Sequence, residues 1–194
     1  TGHIGEVTGL AWNAAGTQIL SGGADKTVRL WTIANETSKP FAGPTGEVTS
    51  VALTADGTGV IASSADKTVH VWSVTDAVVQ ARLTHPAAVH SAAASTDGNR
   101  IATSSADGIV RLWDTTTGLE LERLSGHTGV VHEVALTADG GTVLSGGADR
   151  TARIWTGSAQ SVVVAHEGVI HDLDVVNVAG KQNLLTAGED QTAK

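Results

Sequence analysis

A histidine, a hydroxyl residue and an aspartate are the parts of a hydrolase relay, in which the imidazole takes the hydroxyl proton and the carboxylate orients the imidazole. This sequence carries that trio four times: His3, Ser21 and Asp25; His85, Thr103 and Asp107; His127, Ser145 and Asp149; His166, Thr186 and Asp190. In each, the hydroxyl residue precedes the aspartate by four positions. In the first three the histidine precedes it by 22, and Trp31, Trp113 or Trp155 follows it by six. The last set has two extra residues between His166 and Asp190. One enzyme needs one relay. The same trio at constant spacing, with a tryptophan at a fixed offset, points instead to buried polar side chains that satisfy one another.

A second recurrence is His90, His132 and His171, each following the first apolar residue of a segment: Val89, Val131 and Ile170. Thr8 and Thr49 hold the same place in the two earlier segments. Three imidazoles on one rim are weak candidates for metal ligands or for a pH sensor. The plainer reading, a polar residue bonding the neighbouring backbone, is preferred, because strands of a wide ring would stand too far apart to share a metal. No other cofactor is suggested. The chain has no cysteine, which excludes disulfides, thiolate catalysis and cysteine-based zinc sites. A net charge of -8 argues against binding along a phosphate backbone, so no nucleic-acid partner is expected. The Gly-Gly pairs lie between strands, with no helix following as a phosphate loop requires. No apolar run is long enough for a membrane helix, and no membrane partner is expected.

The elements that must carry these residues repeat as well. Asp25, Asp66, Asp107, Asp149 and Asp190 are 41, 41, 42 and 41 residues apart, the length of a four-stranded propeller blade. Within a period, Glu6–Trp12 reads as an inner strand, Gln18–Ser21 as a second and Lys26–Trp31 as an alternating third. The turn Asn13–Gly16 recurs as Asp56-Gly57, Asp97-Gly98 and Asp139-Gly140. A weaker fourth strand shows at 78–83 and 120–124. One such unit buries its faces only against its neighbours.

Gly126-His127, Ser145–Asp149 and Ile154-Trp155 resemble the signature of the WD40-repeat family, and Trp113-Asp114 is its one literal Trp-Asp pair here. The resemblance covers essentially the whole chain. It implies an all-β propeller of four-stranded antiparallel blades, with repeats at about 2–43, 44–83, 84–125, 126–164 and a truncated 165–194. It also implies that each trio and its tryptophan form one buried chain, Trp to hydroxyl to His to Asp. The second repeat departs from this. Pro44 and Ala62 replace the histidine and the hydroxyl beside Asp66 and Trp72, so that blade is expected to be the least rigid and its loop 42–44 to sit differently.

In function, the resemblance implies a non-catalytic scaffold whose faces assemble other proteins or domains. A structural propeller in a larger enzyme or cytochrome-type protein is the alternative. Glu6, Glu47 and Glu167 lie on the rim expected to meet partners, while Ala24, Ala65, Ala106 and Ala148 offer no anchor there. The chain lacks methionine and stops before the Leu-Trp expected next. It therefore reads as an open arc of four blades and part of a fifth, whose end faces would self-associate.

Overall fold

The computed structural model describes residues 2–157, 159–178 and 181–194. Four antiparallel sheets of four strands follow one another along the chain. The first blade is β1 (Val7–Trp12), β2 (Gln18–Gly23), β3 (Val28–Thr32) and β4 (Thr37–Phe41). The second is β5 (Val48–Leu53), β6 (Gly59–Ser64), β7 (Thr68–Ser73) and β8 (Val79–Thr84). The third is β9 (Val89–Ala94), β10 (Arg100–Ser105), β11 (Ile109–Asp114) and β12 (Glu120–Ser125). The fourth is β13 (Val131–Leu136), β14 (Thr142–Gly147), β15 (Thr151–Thr156) and β16 (Ala159–Ala165). The fifth blade is a hairpin, β17 (Ile170–Val178) with β18 (Lys181–Gly188), extended by a single bridge between Ala187 and Ala193. The described residues hold one short helical turn, Ile33–Asn35.

Turn chemistry explains the hairpins. Gly16, Gly57, Gly98 and Gly140 all sit at positive φ, between 66° and 71°, which glycine adopts without a Cβ penalty. In the last three turns an upstream hydroxyl (Thr54, Ser95 or Thr137) donates to the turn aspartate at 2.6 Å.

The core lies between blades. Leu20, Val28, Leu30 and Phe41 of the first blade pack with Val48, Val51, Val60 and Trp72 of the second. Equivalent clusters join the second to the third and the third to the fourth. Gly146 is needed at one such contact, because a Cβ there would stand 2.7 Å from Ile170 and 3.0 Å from Leu173. The inner strands β1, β5, β9, β13 and β17 lie side by side in that order. The result is an open arc of four propeller blades and part of a fifth. Its first blade bares the face that every later blade covers: Val7, Leu10 and Trp12 are 45%, 66% and 60% exposed, whereas Val48 and Val51 at matching places are 0% and 8%. Leu185, matching the buried Leu20, is exposed on the fifth.

Candidate functional site

The structure closes the trio in the first and fourth blades. Trp31 Nε1 lies 2.7 Å from Ser21 Oγ, which lies 2.7 Å from His3 Nε2, and His3 Nδ1 lies 3.0 Å from Asp25. In the fourth blade Trp155–Ser145, Ser145–His127 and His127–Asp149 are 2.8, 2.8 and 2.9 Å. Donors follow from chemistry. The indole N–H can only donate, so the hydroxyl oxygen accepts it and gives its own proton to Nε2, which leaves Nδ1–H for the carboxylate. Burial lowers the His127 pKa, and the pull of Asp149 does not overcome it, so the ring is neutral near pH 7. Burial alone would raise Asp149, but hydrogen bonds from His127, Thr151 and the Thr128 amide hold it below the usual carboxylate range. The fifth blade joins His166 to Thr186 at 2.8 Å and to Asp190 at 3.0 Å.

Proton order in this chain matches that of a hydrolase relay. Accessibility does not. Ser145 and Thr103 are completely buried and Ser21 nearly so, and each oxygen already receives an indole N–H. A broad cleft lies elsewhere, between the turns of the second and third blades, lined by Thr54, Asp56, Asp97 and Asn99. Its two carboxylates are tied into their own turns.

The third blade corrects the expectation of a full chain. Trp113–Thr103 and Thr103–His85 form at 2.9 and 2.8 Å, but His85 and Asp107 do not meet. Asp107 turns to Arg111, with contacts of 2.7 and 3.2 Å, and the buried Nδ1 of His85 has no partner among the described residues. One sequence difference accounts for this, since Arg29 and Arg153 hold the place of Arg111 in the first and fourth blades. Ile109 replaces the threonine (Thr27, Thr68, Thr151, Thr192) that elsewhere donates to the aspartate. Arg111 is buried and reaches back four residues. Burial and the Arg111 charge press His85 down to about 4. In the second blade the polar chain is rewired. Trp72, fully buried, donates to the Ala42 carbonyl at 3.0 Å, and His70 stacks on its ring with centroids 5.3 Å apart. Asp66 instead takes the amide and hydroxyl of Thr45.

His90, His132 and His171 prove to be the extra residue of a β-bulge at the start of their inner strands, as are Thr8 and Thr49. The two threonines reach the next blade's backbone: Thr49 donates to the Val89 carbonyl at 2.7 Å and Thr8 to that of Val48. The histidines do something else. Their rings form a row, His90 to His132 at 5.4 Å and His132 to His171 at 5.3 Å between centroids, ending on Glu189, 3.0 Å from His171 Nε2. The expectation that ring geometry holds them far apart is therefore corrected. Among the described residues no group of three or more histidines and carboxylates is arranged to hold a metal ion. Sequence pattern located these positions; the bulge that aims them along the rim has no sequence signal beyond the histidines themselves.

Glu6, Glu47 and Glu167 are all exposed. Glu6 and Glu47 hold equivalent places just before β1 and β5, where their carbonyls accept the Ala24 and Ala65 amides at 2.8 and 2.9 Å. Glu167 sits one residue after the network histidine, its amide on Asp190 at 3.0 Å.

The family described as WD domain, G-beta repeat matches residues 1–32, 35–73, 78–114 and 118–156. The chain belongs to the WD40-repeat family. Each full WD40 match after the first opens at or near the outer strand of one blade and closes on the third strand of the next, as 35–73 spans β4 to β7. Each of these three repeats thus ties two blades together. No curated protein matches the chain.

Proposed function

We propose that this WD40 chain is a non-catalytic scaffold that holds other proteins or domains on its propeller faces. One observation carries the reading: among the described residues, the side chains arranged as a relay are spent inside the blades, with Ser145 Oγ fully buried between an indole and an imidazole. A nucleophile has to reach its substrate. WD40 domains typically bind other proteins. The exposed Glu6, Glu47 and Glu167 favour a basic segment as partner, since complementary charge steers encounter. The bare face at Val7, Leu10 and Trp12 favours contact with another blade-like surface, including a second copy of the chain.

Calorimetric titration with lysine- and arginine-rich peptides tests the rim. Binding that weakens with salt and is lost in a Glu6→Lys/Glu47→Lys/Glu167→Lys variant supports the reading. Ester or peptide hydrolysis that disappears in Ser145→Ala overturns the non-catalytic part.

A further inference from the structure

We propose that the row His90–His132–His171 makes the junctions of the third, fourth and fifth blades open on acidification, while the earlier junctions stay closed.

The argument begins with what the same position does elsewhere. At the first two junctions a threonine on the bulge donates across to the next inner strand, Thr8 to Val48 and Thr49 to Val89. That tie has no proton to gain. At the third and fourth junctions the bulge carries a histidine, and among the described residues neither His90 nor His132 makes the corresponding bond to the Val131 or Ile170 carbonyl. Ring-to-ring contact stands in its place. Neutral imidazoles tolerate 5.3 and 5.4 Å between centroids; two imidazolium rings at that distance, partly shielded from water, repel. His132 is flanked on both sides, so its protonation strains both junctions.

The surroundings offer little to absorb that charge. Glu189 pairs with His171 at the outer end. Packed against β9, β13 and β17, strands β5, β6 and β14 carry no ionisable side chain. Arg100 on β10 is bonded to the Gly140 carbonyl, Arg111 on β11 to Asp107, His70 on β7 stacks on Trp72, and Asp114 on β11 binds Thr117. Lys181 lies at the far end of β18 from Glu189. The carboxylates nearest in sequence are Glu133, Asp172 and Asp174. Glu133 accepts from Ser91 across the third junction.

Burial lowers the pKa of His90, and burial together with the charges of His90 and His171 lowers that of His132. A depressed histidine pKa means the unfolded chain binds more protons, so the folded junction loses stability as pH falls below about 6.5. Glu133 acts oppositely. Burial, with Asp172 and Asp174 nearby, pushes it up to about 7, so protonation on acidification steadies the same junction. Removing Glu133 should therefore expose the histidine effect.

Hydrogen exchange, expressed as protection factors, is measured at about pH 7.5 and about pH 5 on the natural chain, on Glu133→Gln and on His90→Thr/His132→Thr. Threonine is the residue the first two blades already use there; His132→Asn serves if the double variant folds poorly. The ratio of protection in β13 and β17 to that in β5 is expected to fall about tenfold at the lower pH in Glu133→Gln, by less in the natural chain, and to rise in the histidine variants, where Glu133 acts unopposed. A level ratio in Glu133→Gln, or an equal fall without the histidines, overturns the proposal.

Discussion

Replacing His127 by alanine removes the middle of the closed chain in the fourth blade. Its side chain is fully buried, so water cannot take over its bonds. Ser145 Oγ–H then has no acceptor at Nε2. Asp149 loses one donor at 2.9 Å but keeps the Thr151 hydroxyl at 2.8 Å and the Thr128 amide at 3.1 Å. A buried group left unsatisfied costs about 1–3 kcal/mol, and the vacated ring volume adds to it. Global melting is a poor readout, because blade arrays need not unfold as one unit. Amide exchange at β14 and β15 reports the blade itself, and 1–3 kcal/mol corresponds to a loss of roughly 5- to 150-fold in protection. The third blade supplies the control. His85 makes only the Thr103 bond, with Nδ1 already orphaned, so His85→Ala should cost less than His127→Ala. Equal protection in His127→Ala and the natural chain refutes the reasoning, and so does a larger loss in His85→Ala.

Restoring the missing hydroxyl by Ile109→Thr should draw Asp107 away from Arg111 and raise the His85 pKa from about 4, visible as a shifted imidazole titration in NMR. Asp25 and Asp149 are both held below the ordinary carboxylate value by their hydrogen bonds, so their contribution is complete above about pH 4 and lost as pH falls further. Acid unfolding should therefore reach the first and fourth blades through these groups, and Asp149→Asn should blunt it in the fourth. Leu10→Ser/Trp12→Ser should lower any self-association seen by sedimentation, leaving exchange in the third blade unchanged.

Blade period, hairpin turns and the trios were legible because each rests on a residue with one dominant local role: glycine at positive φ, aspartate capping a turn, indole as obligate donor. What escaped depends on competition between partners. The family resemblance implied Asp107 on His85; the choice of Arg111 follows from the absent threonine at 109, a signal present in the sequence but readable only beside the other four turns. Ala62 offers Trp72 no hydroxyl, yet a backbone carbonyl accepts its indole N–H, and no side-chain pattern records a backbone acceptor. The outer strands β4 and β16 were faint for another reason. Their outward residues face solvent, so little burial pattern marks them.

These departures also separate what holds a blade from what shapes it. The second blade lacks the histidine and the hydroxyl, yet Trp72 is wholly buried and Val60, Ile61, Ala62 and Val69 are inaccessible. The first blade has the complete chain, yet Val7, Leu10 and Trp12 are exposed, with no neighbouring blade on that face among the described residues. Burial therefore follows the neighbour and not the network. A fully buried valine or leucine is worth about 1.5–3 kcal/mol, and each junction collects several, whereas one net hydrogen bond adds about 0.5–1.5 kcal/mol. Junction packing is the larger reservoir of stability. The polar chain selects where the histidine loop sits against the aspartate turn, and the bulge residue decides how each junction answers to pH.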